Sequence, residues 1–167
     1  MLWAIFDLDG TLADVAWRRH WALAAMELIE GEVPEQEALD TFHEAWDTFH
    51  SLCMSDTPHT VECLLAKLWA RDGHGVIYLT GRTERYRAAT VAWLATHGLP
   101  LGELLMRPNN CTRSTQEYKR KSFDYIKQHI LASPKDRISF VMEDDDRIVE
   151  MWRSLGLTCF QPRGSSY

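Results

Sequence analysis

The stretch Ile5-Phe6-Asp7-Leu8-Asp9-Gly10-Thr11-Leu12 decides how the chain is read. An apolar run stops at a loop carrying two carboxylates, Asp7 and Asp9, whose spacing of two sets both on one side of a strand. Two such acids repel each other unless a cation or a shared proton sits between them, so a divalent metal is the expected third party. Gly10 lets the chain turn, and Thr11 brings a hydroxyl close to whatever the acids hold.

The rest of the chain supplies the setting. Its 167 residues fit one domain, 1–167, with a sizeable core. The net charge of −6 argues against a broad electrostatic footprint on nucleic acid, so any such substrate is expected to be held locally. Cys53, Cys63, Cys111 and Cys159 form no Cys-x-x-Cys pair and no zinc spacing, and read as reduced thiols. No apolar run approaches the ~20 residues that span a bilayer, and the first residues lack signal-peptide character. A cytoplasmic protein with no membrane partner is expected.

Apolar strands alternate with helical patterns. Met1 to Leu8 reads as a first strand, apolar enough to be covered on both faces. Residues 15 to 30 read as a helix with Trp17, Trp21, Ala24 and Leu28 in one inward stripe, closed by Gly31. A second helix is expected from about Pro34 to His50, so residues about 15–55 form a small helical cap over the strand ends. Thr57-Pro58 reads as a helix start, with Val61, Leu64, Leu65 and Leu68 inward. Gly75 to Thr80 is the next strand and runs into Gly81-Arg82. A helix carrying Tyr86, Ala89, Thr90 and Trp93 on one face follows, and then a strand from Leu101 to Met106. Ser114-Thr115-Gln116-Glu117 is a capping box opening a helix with Tyr118, Ser122, Tyr125, Ile126 and Ile130 inward. Arg137 to Met142 is a strand leading into Glu143-Asp144, followed by a helix and a last strand from Leu157 to Gln161. The order predicts an α/β, Rossmann-like parallel sheet with helices on both faces, and ligands bind beyond the carboxyl ends of such strands. Asp7, Asp9, Thr80, Arg82, Glu143 and Asp144 all fall there.

Asp7-Leu-Asp9-Gly-Thr11, Leu79-Thr80-Gly81-Arg82, Lys119 and Glu143-Asp144 together resemble the four motifs of the haloacid dehalogenase superfamily of phosphohydrolases. Alone, each has a plain structural reading: a strand-to-helix turn, a solvated lysine, an acidic helix N-terminus. The tail from Glu143 to Gly156, with its Val-Glu-Met-Trp helix, and Arg18, eleven residues after Asp7, resemble the 3′-phosphatase domain of phage-type polynucleotide kinase/phosphatase. Two features depart from that pattern. Thr115 stands where an acid is expected before the lysine, and no Gly-x-x-x-x-Gly-Lys-Ser/Thr loop exists for a kinase half.

The resemblance implies an Mg²⁺-dependent phosphomonoester hydrolase acting on a nucleotide or a 3′-phosphorylated nucleic-acid end. Asp7 would be the nucleophile and Asp9 the proton donor and then the base. Thr80 would bind the transferred phosphoryl and Lys119 would neutralise it. Thr11, Arg18, Gly81 and Arg82 would hold substrate phosphate, and Asp7, the Asp9 carbonyl, Asp144 and Glu143 the metal. Lys121 is an alternative to Lys119, two residues away on the helix. A 5′(3′)-mononucleotidase, a general small-molecule phosphatase and a catalytically silent nucleotide-binding protein are the competing readings. Trp17 to Trp21 mixes cations and aromatics in a way that suits a phosphate and a base, although the stripe spacing assigns both indoles to the core.

Overall fold

A computed structural model describes residues 1–21, 23 and 35–164. In chain order the described elements are β1 (Leu2–Phe6), β2 (Ala13–Asp14), α1 (Glu35–Ser51), β3 (Thr57–Pro58), α2 (Thr60–Arg71) and β4 (Gly75–Thr83). They continue with α3 (Arg87–Thr96), β5 (Glu103–Arg107), α4 (Thr115–Tyr125), β6 (Arg137–Met142), α5 (Asp146–Ser154) and β7 (Cys159–Phe160). Short 3₁₀ turns cover Ala16–Arg18, Cys53–Ser55 and Glu84–Tyr86, and a π-helical turn, Ile126–Ile130, ends α4.

Alternation along the strands builds two cores. Ala4 and Phe6 of β1, Val76 and Tyr78 of β4, and Phe140 and Met142 of β6 face one side, where Phe49, Cys63, Ala66, Trp93 and Leu94 cover them. Ile5, Ile77, Leu79 and Val141 face the other, under Phe123, Ile126, Val149 and Trp152. The sheet runs β5-β4-β1-β6-β7 with every neighbour parallel. This is the expected α/β Rossmann-like fold. From β1 the chain builds outward through β4 and β5, then crosses back to β6 on the other side of β1. The crevice beyond the β1 end is therefore the switch point where such sheets bind ligands.

Several expectations are corrected. Thr57-Pro58 is not a helix start but strand β3, antiparallel to β2, and α2 begins at Thr60. A residue before proline is pushed to extended backbone, which suits a strand. Val61, Leu64 and Leu68 point outward, while Cys63 and Ala66 face the sheet with Leu65 and Trp69 beside them. The small side chains let α2 approach closely, and the Trp69 ring fills the wider gap edge-on to Phe140 at 5.0 Å. Tyr125 is half exposed, and Leu101 lies in solvent ahead of β5. Trp17 and Trp21, expected inside, are 45% and 42% exposed; Arg18 between them is the fully buried side chain. Buried carboxylates draw the arginine inward, and the indoles are left at the surface. Ala24, Leu28, Gly31 and Pro34 lie outside the described residues.

Trp152 is fully buried and meets Phe123 edge-on at 5.7 Å. Trp152→Ala is expected to cost about 3–5 kcal/mol, read from the shift of the urea midpoint at an unchanged slope.

Candidate active site

Two clusters of charge meet at the carboxyl ends of β1, β4 and β6. In the first, Lys119 on α4 donates to Asp7 Oδ1 at 2.5 Å and to Glu143 Oε2 at 2.6 Å. Asp144 completes it, and Asp7, Glu143 and Asp144 bring carboxylate oxygens within 4.8 Å of one another. All four side chains are buried. The capping box at Ser114, with Glu117 bonded back to the Ser114 N–H at 2.9 Å, fixes the start of α4 and so the depth at which Lys119 enters.

Burial governs the protonation of this cluster. Desolvation pushes the Asp7 carboxyl up to about 7 against the pull of Lys119, with Glu143 adding repulsion. Asp144 is likewise pushed up to about 7, by burial first and then by Asp7. Burial would strip the Lys119 proton, but Asp7 and Glu143 hold it well above the ordinary lysine range. Three acids share one ammonium.

The second cluster is balanced. Arg18 Nε and Nη2 each lie 2.6 Å from an Asp56 oxygen, Nη1 donates to the Phe49 carbonyl at 2.7 Å, and Nη2 also reaches Asp9 Oδ1 at 2.6 Å. Arg82 grips Asp9 through Nε and Nη2, the latter at 2.5 Å, touches Asp56 at 3.2 Å, and gives Nη1 to Thr90. Both arginines are fully buried. Burial would raise the Asp9 carboxyl, but Arg82 and Arg18 hold it well below the usual carboxylate range. The β4–β5 ladder shifts register between Thr80 and Thr83, which takes Gly81 and Arg82 out of the regular pairing beside the site.

The predicted residues are thus brought together, in two groups. β1 ends at Phe6, so strand alternation does not carry on to Asp9, and Asp7 and Asp9 take different partners. The Asp9 carboxylate faces the arginines, which leaves only its carbonyl for a metal. Thr11 Oγ1 donates to Asp144 Oδ1 at 3.1 Å, so its hydroxyl orients a ligand carboxylate. Thr80 Oγ1 accepts the Arg82 N–H at 3.2 Å, which leaves its own proton free to donate. Thr115 packs on Gly81, where an added Cβ would meet its methyl at 3.0 Å.

Two residues escaped sequence reasoning. Asp56, 2% exposed, is the shared anchor of both arginines. His50 puts Nδ1 3.8 Å from Asp9 Oδ2 without a hydrogen bond, and burial lowers it to about 4 against the pull of Asp9. No sequence spacing marked either.

The first cluster fits a divalent cation. Asp144 Oδ2 is buried with no hydrogen-bond partner, although buried polar atoms are almost always paired. Gly10, at φ +85°, leaves room for it, since a Cβ there would lie 2.2 Å from that oxygen. Hard oxygen ligands and an unneutralised charge suit a hard divalent ion.

Comparison with known proteins finds similarity to phosphatases. The sequence profile described as the polynucleotide kinase PNKP phosphatase domain matches residues 44–167. A chain in the structure of the Pnkp1/Rnl/Hen1 RNA repair complex is 26% identical over 99% of this chain, with a TM-score of 0.70. This chain covers 43% of that one, under half its length. The class C acid phosphatase from Bacillus anthracis with tungstate bound shares the fold at 14% identity and a TM-score of 0.64, over 99% of this chain and 68% of its own. A β-phosphoglucomutase-like structure from Thermotoga maritima does so at 16% identity and 0.56, over 96% and 85% of the respective chains.

Carboxyls raised in the folded state stabilise it most below the unfolded pKa and cease to do so as pH rises through about 7. His50, titrating near 4, is neutral across the upper part of that range. In EDTA the melting temperature is expected to fall between pH 6 and pH 8. Mg²⁺ should raise it more at pH 8, and Asp144→Asn should remove most of the metal-induced shift.

Proposed function

The chain belongs to the phosphatase-domain family of polynucleotide kinase PNKP, within the haloacid dehalogenase-type phosphatases, and on that footing we propose that it removes 3′-phosphates from nucleic-acid ends. The observation that carries the reading is the buried triangle of Asp7, Lys119 and Glu143, beside an Asp144 oxygen with no partner. It offers a nucleophile held by a fixed cation, with a metal position next to it.

An Asp7 oxygen attacks phosphorus, the ester oxygen departs, and Asp9 gives that oxygen a proton, leaving an aspartyl phosphate. Asp9 then takes a proton from water, whose oxygen attacks the same phosphorus, breaks the bond from phosphorus to the Asp7 oxygen and releases phosphate, with the Asp7 carboxylate restored. Lys119 offsets charge between the phosphoryl and Asp7, and Thr80 donates its hydroxyl to the phosphoryl. Asp7, Asp144 and the Asp9 carbonyl would hold Mg²⁺, which when bound would supply Lewis-acid neutralisation of charge on the phosphoryl group. Glu143, committed to Lys119, orients that lysine rather than coordinating first.

Arg18 and Arg82 commit most of their donors within the protein, those nearest Asp9 among them. A substrate phosphate therefore competes with Asp9 for them. Each bond that Asp9 gives up lets its carboxyl rise toward a range in which it donates a proton. Gly81 completes the cradle, and Thr11, expected to hold phosphate, acts instead through its bond to Asp144. Residues about 15–55 act as its cap, from which Arg18 and His50 reach Asp9. The four free thiols suit a cytoplasmic protein, and no described helix is long and apolar enough to cross a membrane.

Phosphate release from 3′-phosphorylated DNA and RNA oligonucleotides should exceed that from nucleoside 3′- and 5′-monophosphates and vanish in EDTA. Asp7→Asn is expected to cost at least about 10³-fold in kcat. Asp9→Asn should cost about 10²–10⁴-fold. Turnover of mononucleotides alone would make the protein a nucleotidase, and no release from any substrate would leave it a binder.

A further inference from the structure

The exposed indole of Trp17 is not accounted for by the chemistry above. It lies in the 3₁₀ turn Ala16–Arg18, next in sequence to the arginine that reaches Asp9. The residue is 45% exposed, yet its Nε1–H donates to Asp56 Oδ1 at 3.1 Å. The same oxygen accepts Arg18 Nε at 2.6 Å. One buried carboxylate thus fixes both an open aromatic face and a guanidinium in contact with the proton donor. Trp21, four residues on, is also exposed, and the His20 ring lies against it at 4.9 Å. A single exposed aromatic is ordinary on a protein surface; Trp17 is distinguished by being held through its N–H while much of the residue stays in solvent.

We propose that Trp17 is a stacking platform for the nucleobase of the 3′-terminal nucleotide whose phosphate lies at Asp7. The inference rests on the reading of the site as a nucleotide-end phosphatase. Phosphate and base are one sugar apart in a nucleotide, and Arg18 and Trp17 are one residue apart on a shared anchor. A net charge of −6 gives the chain little overall attraction for a strand, so the grip has to be local. Stacking supplies that grip locally and tolerates any base, because every base has a π-face.

The test compares equilibrium binding, in EDTA, of a 3′-phosphorylated oligonucleotide with that of the same strand carrying an abasic 3′-terminal residue. The base-bearing end is expected to bind roughly five- to a hundredfold more tightly to the native protein. Trp17→Leu, apolar but without a π-face, should bring that ratio to about one. Trp17→Phe, with a ring but no N–H, should keep most of it. Equal binding of both strands, binding of neither, an unchanged ratio in Trp17→Leu, or equal loss in Trp17→Leu and Trp17→Phe would overturn the platform. Phosphate release with Mg²⁺, measured in parallel on both strands, separates the two ideas. Base-dependent binding without release defeats the phosphatase reading and leaves the platform standing, whereas release with base-independent binding does the reverse.

Discussion

Three buried carboxylates, Asp7, Glu143 and Asp144, face a single buried ammonium, Lys119, and the two negative charges left over are the constraint on which the site depends. A buried charge is tolerated only when paired, protonated or bound to metal. The fold meets the constraint in part by raising the Asp7 and Asp144 carboxyls to about 7. A divalent ion at the oxygen that Asp144 leaves unpartnered meets it in full. Beside this cluster, Asp9 and Asp56 are matched by Arg18 and Arg82. Such a site holds a cation in one half and presents an ionised acid, clamped by arginines, in the other.

Sheet topology makes this juxtaposition affordable. β1 is central, so the loop after it is flanked by the ends of β4 and β6, and α4 is pinned at its first turn by a capping box. Lys119 reaches inward from one face of the sheet while Arg18 and the 49–56 segment close on Asp9 from the other. Phe49 lends both its carbonyl and its ring to Arg18, with the guanidinium carbon 3.9 Å from the ring centre. The clamp therefore depends on where α1 ends.

Much of this was legible in the sequence, for a physical reason. Asp7, Glu143 and Asp144 follow apolar strands directly, Thr80 lies near the end of one, and Lys119 follows a capping box, so local pattern sets their place in the topology. Asp56 and His50 carry no such signal. Asp56 finds Arg18 at a separation of 38 residues, a pairing created by tertiary packing alone. The stripe containing Trp17 and Trp21 shows another limit: helical spacing tells which side chains share a face, not whether that face meets the core. The same limit applies to α2, where Cys63 and Ala66 are buried and the larger Val61 and Leu64 are not.

The central claim is that Asp7 carries the phosphoryl group covalently, and trapping tests it most directly. A 3′-³²P-phosphorylated oligonucleotide is mixed with enzyme and Mg²⁺, quenched in acid within milliseconds, and the protein is reduced with borohydride and mapped by mass spectrometry. Label on the protein before reduction and homoserine at position 7 after it are expected, both absent in Asp7→Asn. Label at another residue, or full turnover with no labelled protein at any time, would contradict that claim.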